Sequence, residues 1–162
     1  MATFISNSPA ETEELGERWG RAASCGLVIC LSGDLGAGKT QLVHGVARGL
    51  DVPVRVHSPT FALVNIYSGG RLTLFHLDLY RLDTIEQIEA AGLDEYLNPN
   101  GVTVIEWAEK WIGESRPLAG RSPGSTAAHN NPRATVRGPL LWVTIETISP
   151  TERRIDYDDS GI

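Results

Sequence analysis

The run Gly33-Asp34-Leu35-Gly36-Ala37-Gly38-Lys39-Thr40 satisfies the pattern G-x-x-x-x-G-K-[ST] at every specified position. Residue types at this spacing have a definite chemistry. The glycines let the backbone turn so that successive N–H groups point at one anion, and a helix opening at the end of the loop adds the positive end of its dipole. Lys39 then reaches the β- and γ-phosphates of a nucleotide as a point charge, while the Thr40 hydroxyl is offered to Mg2+. These eight residues are therefore expected to bind ATP or ADP together with Mg2+.

A phosphate loop that works with magnesium needs a carboxylate close by, and two acids stand at the ends of apolar runs. Glu106 follows Val102-Thr103-Val104-Ile105, a β-branched stretch that predicts a buried strand delivering its acid at the C-terminal end, where open α/β sheets bind ligands. Thr40 and Glu106 are accordingly assigned to the metal. Asp78 lies two residues after His76, which puts both on one face of a strand. Asp78 is expected to be catalytic, either orienting or deprotonating the attacking water or shaping the water shell of Mg2+. Arg81, three residues on, offers it a structural partner, and His76 suits a hydrogen-bonded packing group as readily as a functional one. Thr60, in Ser58-Pro59-Thr60-Phe61, sits on a proline-flanked loop that can present a hydroxyl and an N–H to a γ-phosphate, as switch segments do.

The elements that must position these groups follow from local pattern. Residues 27–31 (LVICL) predict a buried strand ahead of the glycine loop, and residues 39–50 carry helical spacing after it. Upstream, Phe4 and Ile5 suggest a short strand. Ser8, Pro9 and Glu11 then form a capping box for a helix to about Ser24, striped by Leu15, Trp19, Ala22 and Ala23 and ended by Gly26. Downstream, residues 54–56 predict a brief strand, and residues 61–67 and 72–78 a hairpin turning at Ser68-Gly69-Gly70-Arg71. Residues 84–91 predict a helix capped by Asp83 and ending at Gly92. Residues 140–148 read as a strand whose antiparallel return is 153–157. The expected fold is α/β: one P-loop NTPase-like domain over residues 1–162, with a mixed parallel and antiparallel sheet flanked by helices.

Bulk properties agree. With 162 residues, 41% of them hydrophobic and 21% charged, the chain suits a single core. No apolar run has the length of a membrane span, and the N-terminus lacks the basic and apolar regions of a signal peptide, so a cytoplasmic protein without membrane contact is expected. Cys25 and Cys30 have no metal-ligand spacing and read as buried free thiols. A net charge of -6 argues against a general nucleic-acid-binding surface, because phosphate contacts need clustered Lys and Arg. The local exception is residues 116–138, with four arginines (Arg116, Arg121, Arg133 and Arg137) and no acid, whose composition predicts a flexible basic loop or insertion.

Taken together, GDLGAGKT (33–40), SPTF (58–61), HLDLYRL (76–82) and EWAEK (106–110) resemble, in order and approximate spacing, the TsaE family, also called YjeE. The resemblance runs from the N-terminal helix to about residue 110 and resumes weakly in the last strands. It implies a P-loop ATPase, slow without its partners, that binds ATP and Mg2+ and works with the TsaB and TsaD proteins in making threonylcarbamoyladenosine in tRNA. TsaD would perform the transfer, so tRNA would be met only indirectly, through the complex. The resemblance carries phosphate binding onto Gly36, Ala37, Gly38, Lys39 and Thr40, Mg2+ onto Thr40 and Glu106, catalysis onto Asp78 and the switch role onto Thr60. It sets Trp107 beside the nucleotide and residues 8–11 near the adenine. Residues 113–138 are longer and more basic than the family pattern. The competing expectation is a small P-loop kinase that passes the γ-phosphoryl group to an acceptor, with arginines of this segment clamping it. A GTPase is disfavoured by the absence of an N-K-x-D motif.

Overall fold

The computed structural model describes residues 1–113 and 135–158. Its elements are β1 (Ala2–Ser6), α1 (Pro9–Ala22), β2 (Leu27–Ser32), α2 (Lys39–Gly49), β3 (Val64–Tyr67), β4 (Leu74–Asp78), α3 (Ile85–Ala90), β5 (Val102–Glu106), β6 (Leu140–Thr147) and β7 (Arg153–Tyr157), with single turns of 3-10 helix at Leu93–Leu97 and Ala108–Lys110. The strands form one seven-stranded sheet in the order β1-β7-β6-β2-β5-β4-β3. At its centre, β4, β5, β2 and β6 run parallel, while β3, β7 and β1 add antiparallel edges. This is the expected mixed α/β arrangement. β2 is an unbroken apolar run because it is covered on both faces: Leu27, Val28, Ile29, Cys30 and Leu31 are all buried.

Register decides which side chains share a face. Leu31 and Asp78 both stand opposite Glu106, and His76 stands opposite Val104, so His76, Asp78 and Glu106 lie on the same side of the sheet as Ile29 and Leu31. That side is covered by α1 and α2 over a core containing Leu15, Trp19, Leu42 and Val46. The opposite side, with Val28, Cys30, Leu77 and Ile105, is covered by α3 and the two short turns through Ile88, Leu93, Leu97 and Trp111.

The helices on the functional side touch backbone to backbone. A Cβ on Gly16 or Gly20 of α1 would strike the carbonyl oxygens of Leu42 and Val46, and one on Gly45 or Gly49 of α2 would strike those of Glu13 and Glu17. The predicted stripe on α1 is therefore incomplete. Leu15, Trp19 and Ala23 are buried, Ala22 is exposed, and Gly16 and Gly20 complete the packed face. Two ion pairs, Arg48–Glu17 and Arg48–Glu13, cross the outer edge of this seam, and Arg21 pairs with Glu17 within α1.

Several expectations are corrected. The Ser8 hydroxyl accepts the Glu11 N–H at 3.2 Å, but the Glu11 carboxylate turns to the Asn7 N–H at 2.8 Å instead of the Ser8 N–H, so the capping box is only half formed. Residues 54–56 form no strand: Pro53 has no N–H, Val54 and Arg55 are exposed, and only Val56 is anchored in the core. α3 is capped by Thr84, not Asp83. Thr84 has an extended backbone and its hydroxyl accepts the Gln87 N–H at 3.2 Å, while the Gln87 side chain accepts from the Asp83 N–H at 2.7 Å. The expectation of two buried thiols holds only for Cys30. Cys25 is exposed in the turn after α1, and burial pushes the Cys30 thiol well above its ordinary pKa. No helix of the described residues is long and apolar enough to cross a membrane. Of the basic segment 116–138, residues 116–134 lie outside the described residues.

The glycine seam makes a test in which two effects have opposite signs. Gly→Ala inside a helix intrinsically gains about 1 kcal/mol, whereas backbone overpacking costs about 1–3 kcal/mol or more. Gly45→Ala, whose new methyl meets the Glu13 carbonyl, should lose about 2 kcal/mol net, a fall in Tm of roughly 4–8 °C by calorimetry. A more stable variant would show that α1 and α2 are not in contact.

Candidate functional site

The glycine loop leaves β2 and ends where α2 begins. Gly33, Gly36 and Gly38 have φ of 143°, 78° and 107°, values that L side chains rarely adopt. Gly33 also lies against the Ile145 carbonyl of β6. The loop is held by the Ala37 N–H on the Asp34 carbonyl at 3.1 Å and by Arg153, whose Nε donates to the Ala37 carbonyl at 3.0 Å. Asp34 and Leu35 are exposed at its tip and Ala37 is buried beneath. Gly38 is the N-cap of α2 and supplies no side-chain cap, and the first turn contains no acid. The first amides of α2 are therefore left to an anion, the arrangement required for phosphate.

Lys39 is buried and folded back over this loop. Its Nζ donates to the Gly33 carbonyl at 2.5 Å and to the Asp34 carbonyl at 2.8 Å, and it lies 3.8 Å from the centre of the Trp107 ring. Burial pulls the Lys39 pKa down, opposed by the charges of Glu106, Glu109, Asp78 and Asp34. Trp107 reaches the ammonium because its backbone is left-handed, φ 62°, an unusual conformation for an aromatic residue. This turns the chain sharply at the end of β5. The Trp107 ring also meets Tyr80, with centroids 5.2 Å apart, and Lys110 fixes that neighbour by donating to the Tyr80 and Leu82 carbonyls at 2.7 and 3.1 Å.

The acids fall where the register puts them. The Thr40 hydroxyl donates to Glu106, 2.9 Å from Oε1 and 3.1 Å from Oε2, and His76 Nε2 lies 2.8 Å from the same Oε1. Asp78 is buried beside this pair. Its Oδ2 accepts from the hydroxyls of Ser58 at 2.7 Å and Thr60 at 3.1 Å, and its Oδ1 from the Tyr80 N–H at 2.9 Å. Arg81 does not serve as its partner; the guanidinium lies 3.8 Å above the exposed ring of Phe61. Thr60, Asp78, Lys39, Thr40, Glu106 and Trp107 thus line one cleft of about 300 Å3 together with Leu35, Gly36, Gly38 and Ser58.

A second hollow of about 170 Å3 continues past Gly36 and Gly38, between Ser8, Pro9 and Thr12 on one side and Thr151 and Arg153 on the other. A larger one of about 390 Å3, bordered by Glu13, His44, Arg48 and Arg55, lies along α2 and is lined by neither Asp78 nor Glu106. Volume alone does not locate the chemistry here. Among the described residues no group of three or more His, Cys, Asp or Glu side chains converges to cage a metal. A hard cation at Thr40 and Glu106 would therefore draw its other ligands from phosphate and water, which is the habit of Mg2+. The residues that single-sequence reasoning did not assign are Ser58, His76 and Arg153. Ser58 stood in the same motif as Thr60, His76 shared a strand face with Asp78, and Arg153 had no local signal at all.

The family model described as "Threonylcarbamoyl adenosine biosynthesis protein TsaE" matches residues 6–128. The tRNA threonylcarbamoyladenosine biosynthesis protein TsaE of Synechocystis sp. PCC 6803 is 44% identical over 68% of this chain and 71% of that protein. The protein of the same name from Treponema pallidum is 43% identical over 68% of this chain and 81% of its own length. Among solved structures, Bacillus subtilis YdiB superposes with a TM-score of 0.68 at 30% identity, covering 96% of this chain and 83% of that one.

An anion on the glycine loop must compete for the Lys39 ammonium, which now rests on Trp107. Titration with inorganic tripolyphosphate should therefore change the tryptophan emission. Trp107→Phe should abolish the change although Trp19, Trp111 and Trp142 remain. An unaltered response in that variant would place the anion elsewhere.

Proposed function

The chain belongs to the TsaE family, and on that premise we propose that it is a Mg2+-dependent ATPase serving threonylcarbamoyladenosine formation in tRNA. It would act in the cytoplasm on a complex of TsaB and TsaD and leave the RNA chemistry to them. The observation that carries the reading is the Thr40–Glu106 hydrogen bond at the uncapped start of α2, with Lys39 and Asp78 lining the same cleft. The names of the relatives place those proteins in this biosynthesis, and the net charge of -6 suits a protein that meets tRNA through others.

In this reading the amides of the glycine loop and of the first turn of α2 bind the β- and γ-phosphates, and Lys39 leaves the Gly33 and Asp34 carbonyls to join them. Mg2+, when bound, neutralises charge on the phosphate oxygens. Thr40 and Glu106 are the residues that would hold it, the hydroxyl keeping its hydrogen on the carboxylate so that its lone pairs face the metal. The base and sugar lie toward the hollow between Ser8, Thr12 and Arg153. Oδ2 of Asp78 is already occupied by the Ser58 and Thr60 hydroxyls, and Oδ1 accepts the Tyr80 N–H. When Thr60 turns its hydroxyl to the γ-phosphate, Oδ2 is released to orient and deprotonate a water. Of the arginines in the basic segment, Arg137 lies among the described residues; its backbone N–H donates to Asn98 Oδ1 at 2.9 Å, close to the start of β6 and so at the end of the sheet opposite the glycine loop.

ATP hydrolysis should be slow for the protein alone and rise when TsaB and TsaD are added. Lys39→Ala should reduce it at least about 100-fold, in line with loss of a charge aimed at the transition state; near-normal turnover would sink the assignment.

The two acids should separate under a Mg2+ titration. Glu106→Ala is expected to raise the Mg2+ concentration for half-maximal activity by about tenfold or more, whereas Asp78→Ala should chiefly lower kcat. The reverse order would exchange their roles.

A further inference from the structure

We propose that His76 is a positioning residue for the magnesium site, fixing the Glu106 carboxylate so that one chosen oxygen faces the cation; this rests on the reading of Thr40 and Glu106 given above. His76 is fully buried and comes from β4, one pleat before Asp78, so it reaches Glu106 from inside the sheet rather than from the cleft. Its Nε2 lies 2.8 Å from Oε1, and since a carboxylate only accepts, Nε2 is the donor of this hydrogen bond.

The consequence is an asymmetric carboxylate. Oε1 receives two donors, His76 at 2.8 Å and Thr40 at 2.9 Å, while Oε2 has only the longer arm of the Thr40 hydroxyl at 3.1 Å. The terminal torsion of glutamate is broad and nearly two-fold, so without His76 the two oxygens would exchange places freely. With it, Oε1 is engaged and Oε2 is presented to the metal or its water. This is the kind of outer support that orients metal-binding carboxylates elsewhere.

A packing role alone does not account for a histidine here. The other ring nitrogen, Nδ1, is buried and meets no hydrogen-bonding partner among the described residues. An apolar side chain of similar shape would fill the position without burying an unsatisfied nitrogen. The ring is kept for what Nε2 does.

The test measures binding, not turnover. Affinity for the non-hydrolysable analogue AMP-PNP would be measured by titration calorimetry, in EDTA and across Mg2+ concentrations, for the full chain and for His76→Leu, His76→Gln, His76→Asn and Glu106→Ala. His76→Leu should leave the EDTA affinity within about twofold and raise the Mg2+ requirement about tenfold. Gln carries an amide donor far enough out to meet Oε1 and should recover most of the loss, whereas the shorter Asn should not. If the Leu variant does not fold, the Gln and Asn pair carries the comparison, the EDTA affinity reporting an intact nucleotide site. A normal Mg2+ requirement in His76→Leu or His76→Asn, with Glu106→Ala impaired, overturns the role of His76 alone. A normal requirement in Glu106→Ala as well overturns the magnesium assignment and the proposal with it.

Discussion

The Thr40–Glu106 hydrogen bond joins the first turn of one helix to the last residue of a neighbouring strand, and the geometry of the whole site depends on it. It forms only if α2 starts directly above the C-terminal end of β5. That in turn requires β5 to pair with β2 in the register that sets Leu31 opposite Glu106. The same register carries Asp78 to the level of Glu106 through β4. Three strands and one helix thus converge on a point, and the glycine loop is the short bridge that allows β2 to become α2 there. The glycine-to-glycine contact of α1 with α2 serves the same end. It lets a second helix lie close along α2 and brings Ser8 and Thr12 up to the loop.

Burying Lys39, His76, Asp78 and Glu106 together would be prohibitive if each had to be desolvated alone. The arrangement offsets this by giving every carboxylate oxygen at least one hydrogen-bond donor: Thr40 and His76 for Glu106, and Ser58, Thr60 and the Tyr80 amide for Asp78. Lys39 is treated differently. It rests on two backbone carbonyls and an aromatic face, none of which carries a full negative charge, and burial lowers its pKa. A cation held by such weak partners is easily drawn to a phosphate, whereas one paired with a carboxylate would first have to break that pair.

What could be read from the chain alone was what is local. The glycine loop, the strand before it, the acid after Ile105 and the Ser-Gly-Gly-Arg hairpin are each written in a few consecutive residues, and each is found where expected, except that the first hairpin strand begins at Val64 instead of residue 61 because residues 61–62 belong to a turn. Errors arose where two local solutions were close in energy. Asp83 and Thr84 are both competent caps, and the capping box at Thr84 and Gln87 settled the matter. Residues 54–56 have the composition of a strand, but Pro53 and an exposed Val54 leave them nothing to pair with. The contributions of Arg153 and of the four helix glycines were illegible for a different reason. They act on residues far away in sequence, and nothing in a single sequence indicates that residue 153 will hold the carbonyl of residue 37. His76 lies between these cases. Its face was predictable from Asp78, but its partner depended on the alignment of β4 against β5.

On the proposed reading, chemistry and conformation in this site share one atom. Oδ2 of Asp78 is the oxygen that would take the proton of an attacking water, and it is also the oxygen that tethers Ser58 and Thr60. The two uses exclude each other, because an oxygen that accepts two hydroxyls has no capacity left for a water held at catalytic distance. Engaging the γ-phosphate must therefore loosen the segment's hold on Asp78 before hydrolysis, and loss of that phosphate lets the hydroxyls return. The next residue, Phe61, is 82% exposed beneath Arg81, so whatever moves Thr60 also moves an exposed aromatic ring next to it in the chain. A partner that gripped this ring would alter the availability of Asp78 without touching the nucleotide. If the protein hydrolyses ATP as proposed, that is a physical route by which turnover would answer to a bound partner.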